Sequence, residues 1–185
     1  IFYKNTQASG VIPQICAIIG PCAGGAVYSP ALMDFVFMVK GISCGFITGP
    51  RVVKAVMGQE IGEEELGGAL VVQRKAGVAC RCEDSEEECL DNIRDLLTYL
   101  PSNNAEMVTV QDWGDPPERT DDYLFDIIPD NSRRSYDMHR IIERVFDYHP
   151  GEKNYYELFP MFAPNMITCF ARLGGQSVGI VANQP

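Results

Sequence analysis

Two short runs rich in β-branched and aromatic residues, VIPQICAII at 11–19 once the chain is past Pro13 and DFVFMV at 34–39, have the pattern of buried strands. Between them stands GPCAGGAVYSPALM, whose second half has room for about two turns of helix, with Pro30 opposing a longer one. Strand, loop with short helix, strand predicts a parallel, right-handed βαβ unit, and hence an α/β fold. Ligand-binding groups in such a unit gather at the carboxyl end of the first strand, which is where the glycines fall.

Further on, FITGPRVVKAVMG at 46–58 predicts a strand end and then a helix, with Pro50 near its first position and Gly58 as its stop. EEELGGAL is a helix start with acids in the first turn, interrupted by Gly67 and Gly68, and GVACRC predicts one more short strand. Ser85, with Glu88 three residues on, is an N-cap for a helix whose Leu90, Ile93, Leu96 and Leu97 lie at helical spacing and which ends at Pro101. After a polar, proline-bearing connection over 101–122, a helix is expected at 135–147 with Met138, Ile141, Ile142 and Val145 on one face. YYELFP, MITCFARL and QSVGIVANQ then alternate like strands, and Gly174–Gly175 marks a hairpin turn. That change of character sets an expected domain boundary near Asn154, dividing the chain into 1–153 and 154–185.

Composition narrows the partners. Lys and Arg number 15 against 25 Asp and Glu, for a net charge of −10, and they form no run, which argues against nucleic acid. The seven cysteines are odd in number, several sit in apolar runs, and none forms a C-x-x-C pair, so they are expected to be packing thiols in a reducing interior, with no metal site. No segment reaches the roughly 18 apolar residues of a membrane span. The first residue is Ile1, and VGIVANQP reads as a strand entering a turn, so the chain is expected to be part of a longer protein.

The candidate chemistry is in backbone, not side chains. Histidines 139 and 149 are both far in sequence from the glycine loop, and no Ser, His, Asp arrangement or nucleophile elbow is present. Gly24 and Gly25 precede a short helix, so their amides lack intrahelical acceptors, lie at the positive end of its dipole and can hold a developing oxyanion, while the missing Cβ admits a substrate. Taken alone, a glycine pair in a strand-to-helix turn more often serves tight packing. The loop lacks G-K-[ST] and the G-x-G-x-x-G spacing, so it is not a phosphate loop.

Four stretches in unbroken order, ASGVIPQICAIIGPCAGGAVYSPALMDFVFMVKG, FITGPRVVKAV, EELGGA and FARLGGQSVGIVANQP, resemble the carboxyltransferase family of biotin-dependent acyl-CoA carboxylases and decarboxylases, nearest its propionyl-CoA carboxylase beta-chain and methylmalonyl-CoA decarboxylase alpha-chain branches. The resemblance implies a crotonase-like superhelix of ββα units, with 1–153 the later part of one domain and 154–185 the opening of a second. It implies two oxyanion holes, one for an acyl-CoA thioester carbonyl, made here by Gly24 and Gly25, and one for the biotin ureido carbonyl, beyond Pro185. Ala23, Ala26 and Tyr28 become candidate substrate contacts. Implied too are biotin on a separate carrier, whose ureido nitrogen takes the α-proton after carboxybiotin releases CO2, a carrier protein with biotin carboxylase or decarboxylase subunits as partners, a homo-hexamer, and a cytoplasmic or mitochondrial-matrix location. The fragment alone is expected to be inactive. The family commonly carries histidines where this chain has Val72 and Cys80, a serine at Ala76, an acid at Arg51 and an aromatic within SCGF, which keeps open a divergent substrate or a non-catalytic assembly role.

Overall fold

The computed structural model describes residues 1–131, 133–148 and 151–185. They cluster into two compact units, Ile1–Leu97 with Pro101–Glu106, and Thr98–Leu100 with Met107–Pro185.

The first unit opens with α1 (Phe2–Ala8), which the sequence pattern does not announce, and continues into β1 (Ile15–Ile18) and β2 (Pro21–Ala23). A four-residue 3-10 turn, Gly24–Val27, runs into α2 (Tyr28–Ala31), and the strands β3 (Phe35–Val39) and β4 (Cys44–Phe46) lead to α3 (Pro50–Met57). The order is therefore β-β-α twice over, the ββα repeat that the resemblance implies, and the two apolar strands expected to pair in parallel do so as β1 and β3. The strand expected past Pro13 is β1, and Pro21–Ala23, taken as loop, is a second strand. The strands sort into two parallel layers: β1 pairs with β3 and β2 with β4. Next come α4 (Glu63–Gly67), α5 (Ala69–Val71), a π-turn at Val72–Ala76 and β5 (Arg81–Glu83), which extends the first layer to the order β1-β3-β5. Ile18, Val36, Met38, Ala69, Val72 and Ala79 pack as the core between these elements.

The helix signals at α3 hold as read. Pro50 stands at its start and Gly58, in the left-handed region at φ 69°, closes it with its amide on the Lys54 carbonyl. α6 (Glu86–Tyr99) is capped as expected, Ser85 Oγ accepting the Glu88 amide at 3.1 Å. Its buried face differs from the predicted one. Cys89 and Leu96, seven positions apart, are fully buried, whereas Leu90 and Leu97 are exposed.

The second unit holds α7 (Leu124–Ile127), too short to show a period in sequence, and α8 (Met138–Val145), whose N-cap Asp137 accepts the His139 amide. α8 is shorter than the predicted 135–147, since Asp137 caps it and Phe146 is already extended. It packs Ile142 on a three-stranded antiparallel sheet of β6 (Tyr155–Leu158), β7 (Met166–Leu173) and β8 (Gln176–Asn183). Leu173 faces Gln176 across the two-residue turn, and both turn glycines have positive φ, 59° and 77°, as a type I′ hairpin requires. The Asp147 carboxylate accepts both turn amides, from Gly174 at 2.8 Å and Gly175 at 2.6 Å. Beneath them the buried Arg172 guanidinium lies over the Tyr99 ring and donates to the Thr98, Thr109 and Gly175 carbonyls.

The expected boundary at 154 falls just before β6, inside this second unit.

Candidate active site: a glycine turn at the carboxyl edge of paired strands

The parallel register Pro21↔Cys44, Cys22↔Gly45, Ala23↔Phe46 brings the carboxyl ends of β2 and β4 side by side. The chain leaves β2 at Ala23, in extended conformation, and turns at Gly24, whose φ of 65° is left-handed and would strain any residue with a Cβ. Gly24 opens the 3-10 turn that ends at Val27, and Gly25 has no left-handed φ. A left-handed residue entering a helical turn is an arrangement from which backbone anion nests are built. A helix dipole does not add to it, because a four-residue 3-10 turn and a four-residue helix are too short to sustain one. Gly25 and Ala26 are exposed, and a Cβ at Gly25 would meet nothing within 4 Å.

The turn is held from behind. Ser29 Oγ donates to Asn5 Oδ1 at 3.0 Å, Asn5 and Gln14 exchange hydrogen bonds of 3.0 Å, and the Gln14 amide donates to Asp34 at 2.9 Å. Asn5 and Gln14 are buried, so this network fixes α2 against α1 at the price of no unsatisfied group. Tyr28 is exposed, with its ring edge-on to Phe2 at 5.9 Å.

Beside Ala23 the two strand ends and the loops after them line an open cavity of about 490 Å³, with Pro21, Phe46, Pro50, Val52 and Ile61 as its apolar lining and Arg51 and Glu63 as the charged residues. The turn residues Ala23, Gly24, Gly25, Ala26 and Tyr28 are contiguous, as their sequence dictates. Sequence reasoning missed the Phe46–Val52 and Ile61–Glu63 walls. The signal was present in FITGP, a second strand-to-helix turn, and only the unrecognised pairing of β2 with β4 hid its proximity.

No side chain near the turn is set up as a nucleophile. Burial pushes the Cys22, Cys16 and Cys44 thiols above their ordinary pKa, and burial raises Cys82 to about 12. All seven cysteines are free thiols, four of them buried. Among the described residues no group of three or more His, Cys, Asp or Glu gathers as a metal site, and no helix is long and apolar enough to cross a membrane. His139 belongs to the second unit, between Asp137 and Glu157; His149 lies outside the described residues. Val72 and Cys80 face the first unit's core, where Cys80 Sγ donates to the Val36 carbonyl at 3.1 Å. Imidazoles at these places would be buried polar groups, so the apolar replacements alter packing beneath the layers, not the exposed turn.

Every residue from 1 to 185 matches the carboxyl transferase domain. The chain belongs to that family. It is 55% identical over 185 residues to the alpha subunit of methylmalonyl-CoA decarboxylase of Veillonella parvula, covering 100% of this chain and 36% of that one. It is 53% identical to the carboxyltransferase subunit of propionyl-CoA carboxylase of Haloferax mediterranei and 48% identical to the human mitochondrial propionyl-CoA carboxylase beta chain, covering all of this chain and 35% and 34% of those. Among solved structures, the transcarboxylase 12S hexamer crystallised with hydrolysed methylmalonyl-coenzyme A superimposes with a TM-score of 0.92 at 40% identity, over 100% of this chain and 35% of that one. A single-chain long-chain acyl-CoA carboxylase, at 21% identity and a TM-score of 0.77, shares the fold. The carboxyltransferase fold expected from the sequence is thus the one adopted, and this chain spans about a third of the length of the curated relatives it matches.

Proposed function

We propose that the full-length protein moves carboxylate between carboxybiotin and a short acyl-CoA such as propionyl-CoA, with the Gly24 and Gly25 amides holding the thioester oxygen as it becomes an enolate. The observation that carries this is the left-handed Gly24 opening a turn, with Gly25 and Ala26 exposed, at the carboxyl edge of parallel strands in a chain of the carboxyl transferase family. Preorganised amides stabilise the developing charge without reorganising, which lowers the barrier to losing the α-proton. Ala23, Ala26 and Tyr28 line the approach to that oxygen.

Biotin supplies the activated carboxyl group when bound, but no residue of this chain is assigned to it. The other glycine pair, Gly174–Gly175, has both amides bonded to Asp147 and sits in an antiparallel hairpin, so it does not fit as a second oxyanion hole. On this reading 154–185, where the strand pattern turns antiparallel, opens the second carboxyltransferase domain. The carrier protein, its carboxylase or decarboxylase subunits and a hexameric assembly are proposed partners, the last because the transcarboxylase 12S structure is described as a hexamer. The compartment follows the full-length protein, cytoplasmic in a prokaryote and mitochondrial in a eukaryote.

Decarboxylation of a methylmalonyl-CoA-type substrate is the same transfer run in reverse and is the second reading, since relatives of both names match equally well over the whole chain. The test is transfer by the full-length protein from free carboxybiotin to propionyl-CoA, with formation of methylmalonyl-CoA as readout, and the reverse reaction from methylmalonyl-CoA to biotin. Turnover in either direction supports the reading and their ratio chooses between the two. Neither turnover nor binding of acyl-CoA would leave an assembly role.

A further inference from the structure

The cavity beside Ala23 combines apolar walls from Phe46, Val52 and Ile61 with one cation, Arg51, and one anion, Glu63. Its volume, about 490 Å³, is within the range of small-ligand sites and leaves room for a short acyl group with the end of its thiol carrier. The two charges are not equivalent. Glu63 opens α4 together with Glu64 and Glu65, where the peptide dipoles favour acids. Arg51 is the second residue of α3, where the same dipoles disfavour a cation, and it makes no ion pair among the described residues, whereas Lys54 one turn on is paired with Glu60. Arg51 is exposed, so its guanidinium is hydrated and able to turn toward an anionic group on whatever enters. Glu63, the other charge of the lining, disfavours an anion beside itself.

We propose that this cavity takes the acyl end of the thioester and that Arg51 pairs with a carboxylate borne by it, so that the chain binds an α-carboxylated acyl-CoA more tightly than its uncarboxylated counterpart. The inference rests on the reading of Gly24–Gly25 as the thioester site, whose Ala23 flank forms part of the same cavity. Phe46 and Val52 contact the alkyl part, and the guanidinium presents a planar pair of donors to the carboxylate.

The experiment is calorimetric binding of methylmalonyl-CoA and propionyl-CoA, which carry the same nucleotide, to the full-length protein and to its Arg51→Leu and Arg51→Lys variants, with melting curves to establish that each variant folds. Arg51→Leu is expected to weaken methylmalonyl-CoA about tenfold, the loss of one charge-assisted contact at an open site, and to change propionyl-CoA by less than about twofold. Arg51→Lys should retain part of the difference. Equal weakening of both ligands would place Arg51 on the phosphates of coenzyme A and overturn the carboxylate assignment, as would no change in either. If the unaltered protein bound neither thioester, the reading of the turn would fail first and this inference with it.

Discussion

Gly67 supports the site from below, and its replacement gives a magnitude that the structure fixes. A Cβ on Gly67 would lie far closer to the Gly45 carbonyl oxygen than van der Waals contact allows, 3.0 Å from the carbonyl carbon and 3.1 Å from Phe46 Cδ1. Backbone cannot rotate away, so Gly67→Ala must push α4 off β4. Overpacking of this kind costs about 1–3 kcal/mol, partly offset by roughly 1 kcal/mol for alanine over glycine in a helix. A clash with a backbone oxygen lies at the upper end of that range, so the net, about 2 kcal/mol, should accelerate amide exchange in β4 and α5 of the full-length protein by about 30-fold. Gly68→Ala next door is the control. The nearest atoms to its Cβ would be those of the exposed Glu64 carboxylate, which can swing aside, and its φ of −63° and ψ of 161° suit alanine. Exchange there should change by less than about twofold, because the freedom alanine removes from the unfolded chain offsets the displaced side chain. Equal effects at Gly67 and Gly68, or none at Gly67, would refute the close approach of α4 to β4.

Two further predictions concern the second unit. Asp147→Ala strands two turn amides, and at about 1.5–3 kcal/mol for bonds to a charged acceptor it should loosen the β7–β8 hairpin, read as lost protection at Gly174, Gly175 and Gln176. His139 carries a pH dependence. Burial works to lower its pKa, but hydrogen bonds to Glu157 and Asp137 more than compensate and raise it above the ordinary 6.5. The charged ring is thus favoured on folding, so its stabilisation is complete below about pH 6.5 and lost as pH rises through the folded value. The denaturation midpoint should fall over that interval, and His139→Gln should remove that part of the slope.

Much of this was legible in sequence, and the failures have physical causes. Termini with a chemical marker read correctly: Pro50 and Gly58 around α3, Ser85 before α6, the paired glycines of the β7–β8 turn. Pro21–Ala23 escaped because three residues show no alternation, and their strand character comes from pairing with β4. On α6 the apolar spacing was right but the face was displaced by one residue, since Cys89, small and apolar, fills the core where Leu90 was expected. The glycine turn was found by its composition and by its resemblance to a known family, whereas its neighbours Phe46, Arg51 and Ile61 reach it only through the parallel layers. The apolar Val72 and Cys80, departures from the family pattern, make sense once both are seen buried in the core.

On the proposed reading the backbone amides of Gly24 and Gly25 hold the thioester oxygen. Gly25→Val is the sharpest test of it, because a Cβ there meets no atom within 4 Å and the φ lies outside the left-handed range, so the fold accepts a side chain that covers the amide. The measurement is kcat for transfer from carboxybiotin to propionyl-CoA by the full-length variant, beside the melting temperature and the Kd for propionyl-CoA. Loss of an oxyanion donor predicts a fall of about 10²–10³ in kcat with an unchanged melting temperature and only a few-fold change in Kd. Unaltered turnover in a correctly folded Gly25→Val protein would contradict the account.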